Sequence, residues 1–371
     1  MRFILAFLAL ATPAFAAPLD DAKYLLAQPA VTTALQGIST TRNYVWARDT
    51  VLGALGSPVS EPPPAPAPTP TPVPTPAPVP SAGVAISGQT ALLNALSGAK
   101  GGETFILAPG TYSASITDRR YPSPVTILGQ PGVKIPAGGV IKNSANITFR
   151  RILFTGKAGM ASAQWVVRLE NSAGITFAEN EFAGVDHTGW AIFARTADNK
   201  NIRILGNKFT DLSRGVVFFG GAGIQTEGNS FSGIGDDCID YSNLRPNGGQ
   251  RNTISRNTAR NSFYNPLSHR DFAQLWANWS LDVIGNDLWF SGMGIADFGT
   301  PEPNLDMNVR NNIIRQIDYA NALRFDKAGT TGEASENIVT SGTVNGIVVK
   351  AIVRIPSTMT KWGNLVDGRA F

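Results

Sequence analysis

Gly221–Tyr241 reads GAGIQTEGNSFSGIGDDCIDY, and two things in it organise the rest of the chain. Its first half places an apolar residue, a turn asparagine and a phenylalanine in order (Ile224, Asn229, Phe231), and its second half holds the densest acidic cluster, Asp236, Asp237 and Asp240. The first pattern recurs along the chain as AENEF, LGNKF, EGNSF, SRNTA, IGNDL, RNNII and SENIV. Aligning Asn180, Asn207, Asn229, Asn257, Asn286, Asn311 and Asn337 gives spacings of 27, 22, 28, 29, 25 and 26 residues. Each unit holds short β-rich runs such as Ile202–Leu205, Val216–Phe219 and Leu281–Ile284, split by Gly, Asn or Ser, with no room for a long amphipathic helix. A helix-free repeat of this length predicts a parallel β-solenoid, in which each rung buries its apolar side against the next. The asparagines are expected at a fixed corner, in the left-handed conformation, with their amides bonded from rung to rung.

The bulk numbers agree with a strand-and-turn protein. Hydrophobic residues make up 43% of the 371 residues, enough for one sizeable core, while charged residues are only 16% and Gly plus Pro number 38 and 25. The net charge of +4 has no Lys/Arg run behind it, which gives no case for nucleic acid. The single cysteine, Cys238, excludes an intrachain disulfide and a multi-cysteine zinc site, and two histidines leave little for a His-based metal site.

Residues 1–16 have the basic start, apolar run and Ala14-Phe15-Ala16 ending of a signal peptide, predicting an exported protein, periplasmic or secreted. No later stretch is long and apolar enough for a membrane span. Residues 17–56 carry helical spacing in two pieces and are expected as either a cell-surface attachment or self-association element or a loosely ordered leader. Residues 57–81 contain EPPPAPAPTPTPVPTPAPVP (Glu61–Pro80), an extended spacer of roughly 60 Å at about 3.1 Å per residue. From residue 82 to 371 the solenoid is expected to be continuous, opened by a short helix at Gln89–Ser97, with the asparagine signature lost over Val344–Phe371.

ALLNALSGAKGGETFILAPGTYSASI (Ala91–Ile116), followed by VTILGQPGVKI, resembles the start of the right-handed parallel β-helix proteins of the pectin-lyase-like superfamily, where a capping helix leads into a G-x-x-h-x-L-x-x-G-x-Y rung. The resemblance implies an all-β fold, a single-stranded right-handed parallel β-helix. It implies a polysaccharide partner less directly, because that superfamily includes lyases, hydrolases, epimerases, esterases and tailspikes.

The alternation of strand faces then predicts an outward column on one sheet. Aligning the rungs by their apolar residues, the column reads Arg168, Phe193, Phe218, Asp240, Gln274, Asp297, Arg324. Four rungs at about 4.8 Å span roughly 14 Å, the length of a few sugar units. Asp236 and Asp237 precede the strand carrying Asp240, and His269, Arg270 and Asp271 precede the strand carrying Gln274 and Trp276. The expected active patch is therefore Asp236, Asp237, Asp240, His269, Asp271, Asp297 and Arg324, with Arg168, Phe193, Phe218, Arg270, Gln274 and Trp276 binding substrate. Close carboxylates push one pKa up, so that one donates a proton while another stays ionised, as glycosidic cleavage needs. The same oxygens would also suit Ca²⁺.

Gly235-Asp236-Asp237-Cys238-Ile239 resembles the G-D-D-C-I motif of the polygalacturonase family, which implies water activation and proton donation by Asp236 and Asp237. That family's upstream N-T-D is replaced here by Arg214-Gly215-Val216, and its G-H-G and R-I-K are missing. The expectation placed ahead of hydrolysis is β-elimination or C5 epimerisation of an acidic polysaccharide, a uronate polymer, with His269 or Arg324 as base and Arg270 and Arg168 as neutralising cations. A non-catalytic glycan-binding or tailspike-like protein is the reading from a different class.

Overall fold

The structure is a computed structural model that describes residues 83–161, 164–260, 270–289, 292–297, 302–317, 321–344 and 347–370. The expected signal peptide, the segment 17–56, the proline-rich stretch and His269 lie outside the described residues. What is described is a parallel β-helix. Each rung runs through a first sheet, a second and a third, as in Arg214–Ala222, Gln225–Glu227 and Ser230–Ser232. The three sheets hold ten, twelve and thirteen strands, each paired with the equivalent strands one rung before and after. A helix, Gln89–Gly98, precedes the first rungs and buries Leu92 and Leu96, one turn apart on the same side.

The corner between the second and third sheets is the most regular part of the coil. It is made of two residues at each turn, the first left-handed: Glu179, Gly206, Gly228, Arg256, Gly285, Asn311, Glu336 and Gly363 have φ between 45° and 65°. The second is the ladder asparagine, so the left-handed position falls one residue earlier than the sequence suggested. In the RNNII rung the ladder member is accordingly Asn312, and Asn311 supplies the left-handed step at φ 55°. Asn180, Asn207, Asn229, Asn257, Asn286, Asn312 and Asn337 each donate Nδ2 to the next asparagine's Oδ1 at 2.8–3.0 Å, the last to Asn364. Each Nδ2 also reaches a main-chain carbonyl of the preceding second-sheet strand, such as Ile204 O from Asn229 at 2.8 Å. Asn364 extends the row through a segment expected to have lost it. Its rung, WGNLV, matches SENIV, with Val366 two residues after the asparagine as Val339 is after Asn337.

Two residues after the asparagine, the third-sheet side chain points inward, and Phe154, Phe182, Phe209 and Phe231 stack there at 4.6, 5.0 and 4.8 Å between ring centroids. All are buried. Burying each such ring contributes about 1.5–3 kcal/mol, and repeating it in register makes a slip of the coil costly. At the far end, Leu365–Val366 turns back on Arg369–Ala370 as an antiparallel pair, which closes the last edge of the third sheet.

Candidate functional site

The first sheet carries the site, and its register differs from the sequence alignment at two rungs. The outward column is Arg168, Phe193, Val217, Asp240, Gln274, Ala296 and Arg324. Phe218 and Asp297 are each one residue out of it, and a one-residue slip in a strand reverses the face. Phe218 points into the core, edge-on to Tyr241 at 5.9 Å. Asp297 also points inward, where it accepts from Asp326 N at 2.7 Å, Thr330 Oγ1 at 3.1 Å and Asn304 Nδ2 at 3.4 Å. Burial raises its carboxyl against these bonds, and its role is to tie a corner. The slip arose because Val216–Phe219, VVFF, is apolar throughout with no polar marker, and GIAD offers two small residues before the acid.

The turn Gly233–Cys238 leads into the strand Ile239–Arg245 and brings Asp236, Asp237 and Asp240 to one place. Between them lies Arg214, which the sequence marked only as part of Arg214-Gly215-Val216, the segment standing in place of the polygalacturonase N-T-D. Its Nε donates to Asp236 Oδ2 at 2.6 Å and its Nη1 to Asp240 Oδ2 at 2.6 Å, with Asp237 Oδ2 3.3 Å from Nη1. Gly215 lets this strand close on the next: a Cβ there would lie 2.4 Å from Cys238 O and 2.7 Å from the Phe231 ring. One rung on, Asp271 joins the group, its amide donating to Asp237 Oδ1 at 3.1 Å.

Burial separates the carboxylates. Asp237 and Asp271 are fully enclosed and Asp240 is 3% exposed, whereas Asp236 and Arg214 retain 19% and 20% of their side-chain surface. Burial pushes the Asp240 carboxyl up to about 6 even though Arg214 pulls the other way. The same cause holds Asp237 well above the usual carboxylate range. The surrounding acids keep the Arg214 guanidinium more firmly charged than usual. Cys238 is buried, its thiol pushed well up by that burial, as suits a small packed side chain.

The calcium reading of these oxygens does not fit, because Arg214 occupies the centre that a cation would take. Among the described residues no three His, Cys, Asp or Glu side chains are arranged to hold a metal ion.

The other expected residues are dispersed. Arg270 and Gln274 are buried beside the carboxylates. Trp276 is half-buried, with its indole N–H enclosed and without an acceptor among the described residues. Arg324 stands in the column beyond Ala296, ion-paired with Asp326. Arg168, two rungs before Arg214, is ion-paired with Glu170. Its guanidinium lies 4.5 Å over the Trp165 ring, as Arg214 lies 5.5 Å over Trp190. Phe193 is buried by its neighbours Trp165, Trp190 and Phe219, at 5.7, 4.9 and 5.9 Å. Thus the column that sequence alone suggested as an open trough is enclosed over its middle rungs, with solvent reaching it at its ends, Arg168 and Arg324, and reaching the acid cluster at Asp236 and Arg214. His187 sits at a left-handed turn and donates Nδ1–H to Gly233 O at 2.7 Å, bracing the turn that carries the acids.

The fold is thus a parallel β-helix. No known family description matches the sequence, and no curated relative does. Several solved structures are similar, each at 14% identity. A Dettilon tailspike protein has a TM-score of 0.46, with 75% of this chain and 57% of that one covered. A PL6 family polysaccharide lyase from Pseudopedobacter saltans has 0.34, with 77% and 93% covered. The catalytic domain of a GH87 alpha-1,3-glucanase has 0.38, with 79% and 70% covered. The chain thus spans little more than half of the tailspike. No helix among the described residues is long and apolar enough to cross a membrane.

Proposed function

We propose that this chain is an exported carbohydrate-active protein that hydrolyses a polysaccharide through the carboxylates gathered on Arg214. The observation that carries this reading is one guanidinium shared by a half-buried and an enclosed acid, Asp236 and Asp240, both at 2.6 Å. Glycosidic cleavage needs one carboxyl that holds a proton and another that stays ionised. Asp240 holds its proton up to about pH 6 because it is buried. Asp236, bonded to Arg214 and reached by solvent, is the group that activates water. Asp237 and Asp271 set the local charge from beneath.

Charge also bears on the substrate. Four carboxylates face one another here, while Arg168, expected as a neutralising cation, and Arg324, expected as a base, are bound to Glu170 and Asp326. That balance favours a neutral glycan and hydrolysis over β-elimination or C5 epimerisation. The test is incubation of the purified protein with laminarin, soluble starch, dextran and polygalacturonate. New reducing ends without the ultraviolet absorbance of an unsaturated uronate are expected, and Asp236→Asn is expected to abolish them. Absorbance on polygalacturonate would establish elimination instead, and binding without turnover would establish a glycan-binding protein.

A further inference from the structure

We infer that His187 is a positioning residue that fixes where Asp236 meets Arg214. The inference deepens the hydrolytic reading above and rests on it only for its effect on turnover. Successive returns from the third sheet to the first, 185–189, 211–213 and 233–238, lead into Trp190–Ala194, Arg214–Ala222 and Ile239–Arg245. The first of these returns holds both ends of the ion pair. Its Gly189 O accepts from Ser213 N at 3.0 Å and Arg214 N at 3.3 Å, which seats the backbone of Arg214. Its His187 donates Nδ1–H to Gly233 O at 2.7 Å, at the start of the return that carries Asp236.

The reach of this bond sets His187 apart. Returns on neighbouring rungs are joined main chain to main chain, as Gly235 N to Leu212 O at 2.9 Å and Asp236 N to Ser213 O at 2.8 Å. Gly233 lies two rungs from His187, about 9.6 Å at the strand spacing, a gap that a main-chain bond does not span and an imidazole does. The backbone that sends the ring across is costly. Asp186 and His187 both have φ 54°, and left-handed backbone at two successive non-glycine residues persists where the surroundings over-determine it, a pattern that clusters at functional sites. Thr188 secures the turn through Val185 O, which accepts its N–H at 3.2 Å and its Oγ1–H at 2.7 Å. The receiving return fits closely: a Cβ at Gly235 would stand 3.4 Å from His187 Cβ, and one at Gly233 would stand 2.5 Å from Asp211 Oδ1. Asp211 Oδ1 is 3.9 Å from His187 Nδ1, too far for a hydrogen bond, so the Nδ1 hydrogen goes to Gly233 O. Releasing this brace lets the return shift, and with it the 2.6 Å contact between Asp236 and Arg214 Nε. A displaced reacting group slows the chemical step without weakening substrate binding.

The test pairs two substitutions that both suit left-handed backbone. His187→Asn keeps an N–H donor close to the Nδ1 position, and His187→Gly removes it. Hydrogen exchange of the full chain, read on peptides covering 233–238, is expected to quicken about tenfold in His187→Gly and to stay at the wild-type rate in His187→Asn. On whichever of the glycans above the wild type cleaves, kcat is expected to fall about tenfold in His187→Gly with KM unchanged, and His187→Asn is expected to restore it. Wild-type exchange in His187→Gly, or equal quickening in both variants, would overturn the inference and leave hydrolysis untouched. Quickened exchange with unchanged kcat would overturn it as well, since the return would then move without consequence for the acid. Exchange as expected, with no turnover by the wild type on any of the glycans, would uphold the brace and remove the hydrolytic reading.

Discussion

Arg214 Nη1 and Asp240 Oδ2 lie 2.6 Å apart, joining neighbouring rungs of the first sheet across a group of acids that outnumber the cation. Removing the guanidinium leaves Asp236, Asp237 and Asp240 facing one another. Arg214→Met is expected to cost about 3–5 kcal/mol at neutral pH, the usual consequence of breaking a buried pair from one side. The penalty should shrink in acid, because the buried carboxyls then take up protons. Urea midpoints at neutral and acid pH check both halves of this expectation.

Asp240 makes stability depend on pH in a direction opposite to that of an ordinary ion-paired acid. Its carboxyl is raised from 3.8 to about 6 in the folded protein, so the folded state binds this proton more tightly than the unfolded chain. The contribution is full below about 3.8 and is lost as pH rises through about 6. Asp240→Asn, which mimics the neutral acid, should flatten that slope in a series of urea melts. A wild-type slope unchanged in the variant would exclude Asp240 as its source.

The two asparagines of the RNNII rung have different tasks. Asn312 gives its side chain to Asn337 Oδ1 and Val283 O and receives two donors from Asn286. Asn312→Ala should therefore cost about 3 kcal/mol, since several buried groups lose partners at once. Asn311→Gly should change stability by less than about 0.5 kcal/mol, because glycine takes a left-handed step without strain. Equal losses in the two variants would mean the ladder is wrongly assigned.

Phe209 sits between Phe182 and Phe231 with centroids 5.0 and 4.8 Å away. Phe209→Ala is expected to cost about 3–5 kcal/mol, because the gap opens in the middle of a stack that cannot collapse without shifting two rungs. A calorimetric or urea melt gives the value.

How much of this was legible beforehand follows from how local each signal is. The ladder and the phenylalanine stack repeat at one corner with the same short spacing, so Asn229 and Phe231 announce both. Asp236 and Asp237 were legible because a turn of glycine and acid stands out against apolar strands. Arg214 was visible as a departure, yet its role depends on lying one rung below Asp237, a relation among residues 23 apart that no local pattern reports. Phe218 and Asp297 failed for a related reason. Face assignment in a run such as VVFF is decided by pairing with the neighbouring strand, and hydrophobicity alone does not distinguish the two registers.

From Glu179 to Asn364 the two-residue corner is unchanged, which leaves changes of rung length to the first-sheet strands and the other two turns. The return that bears Asp236 and Asp237 is one of these. Insertions there lengthen a rim without disturbing the pitch, as a row of rivets lets plates of different width share one seam. Segments grafted between the third and first sheets would thus alter what the rim meets while the asparagine row keeps the coil in step.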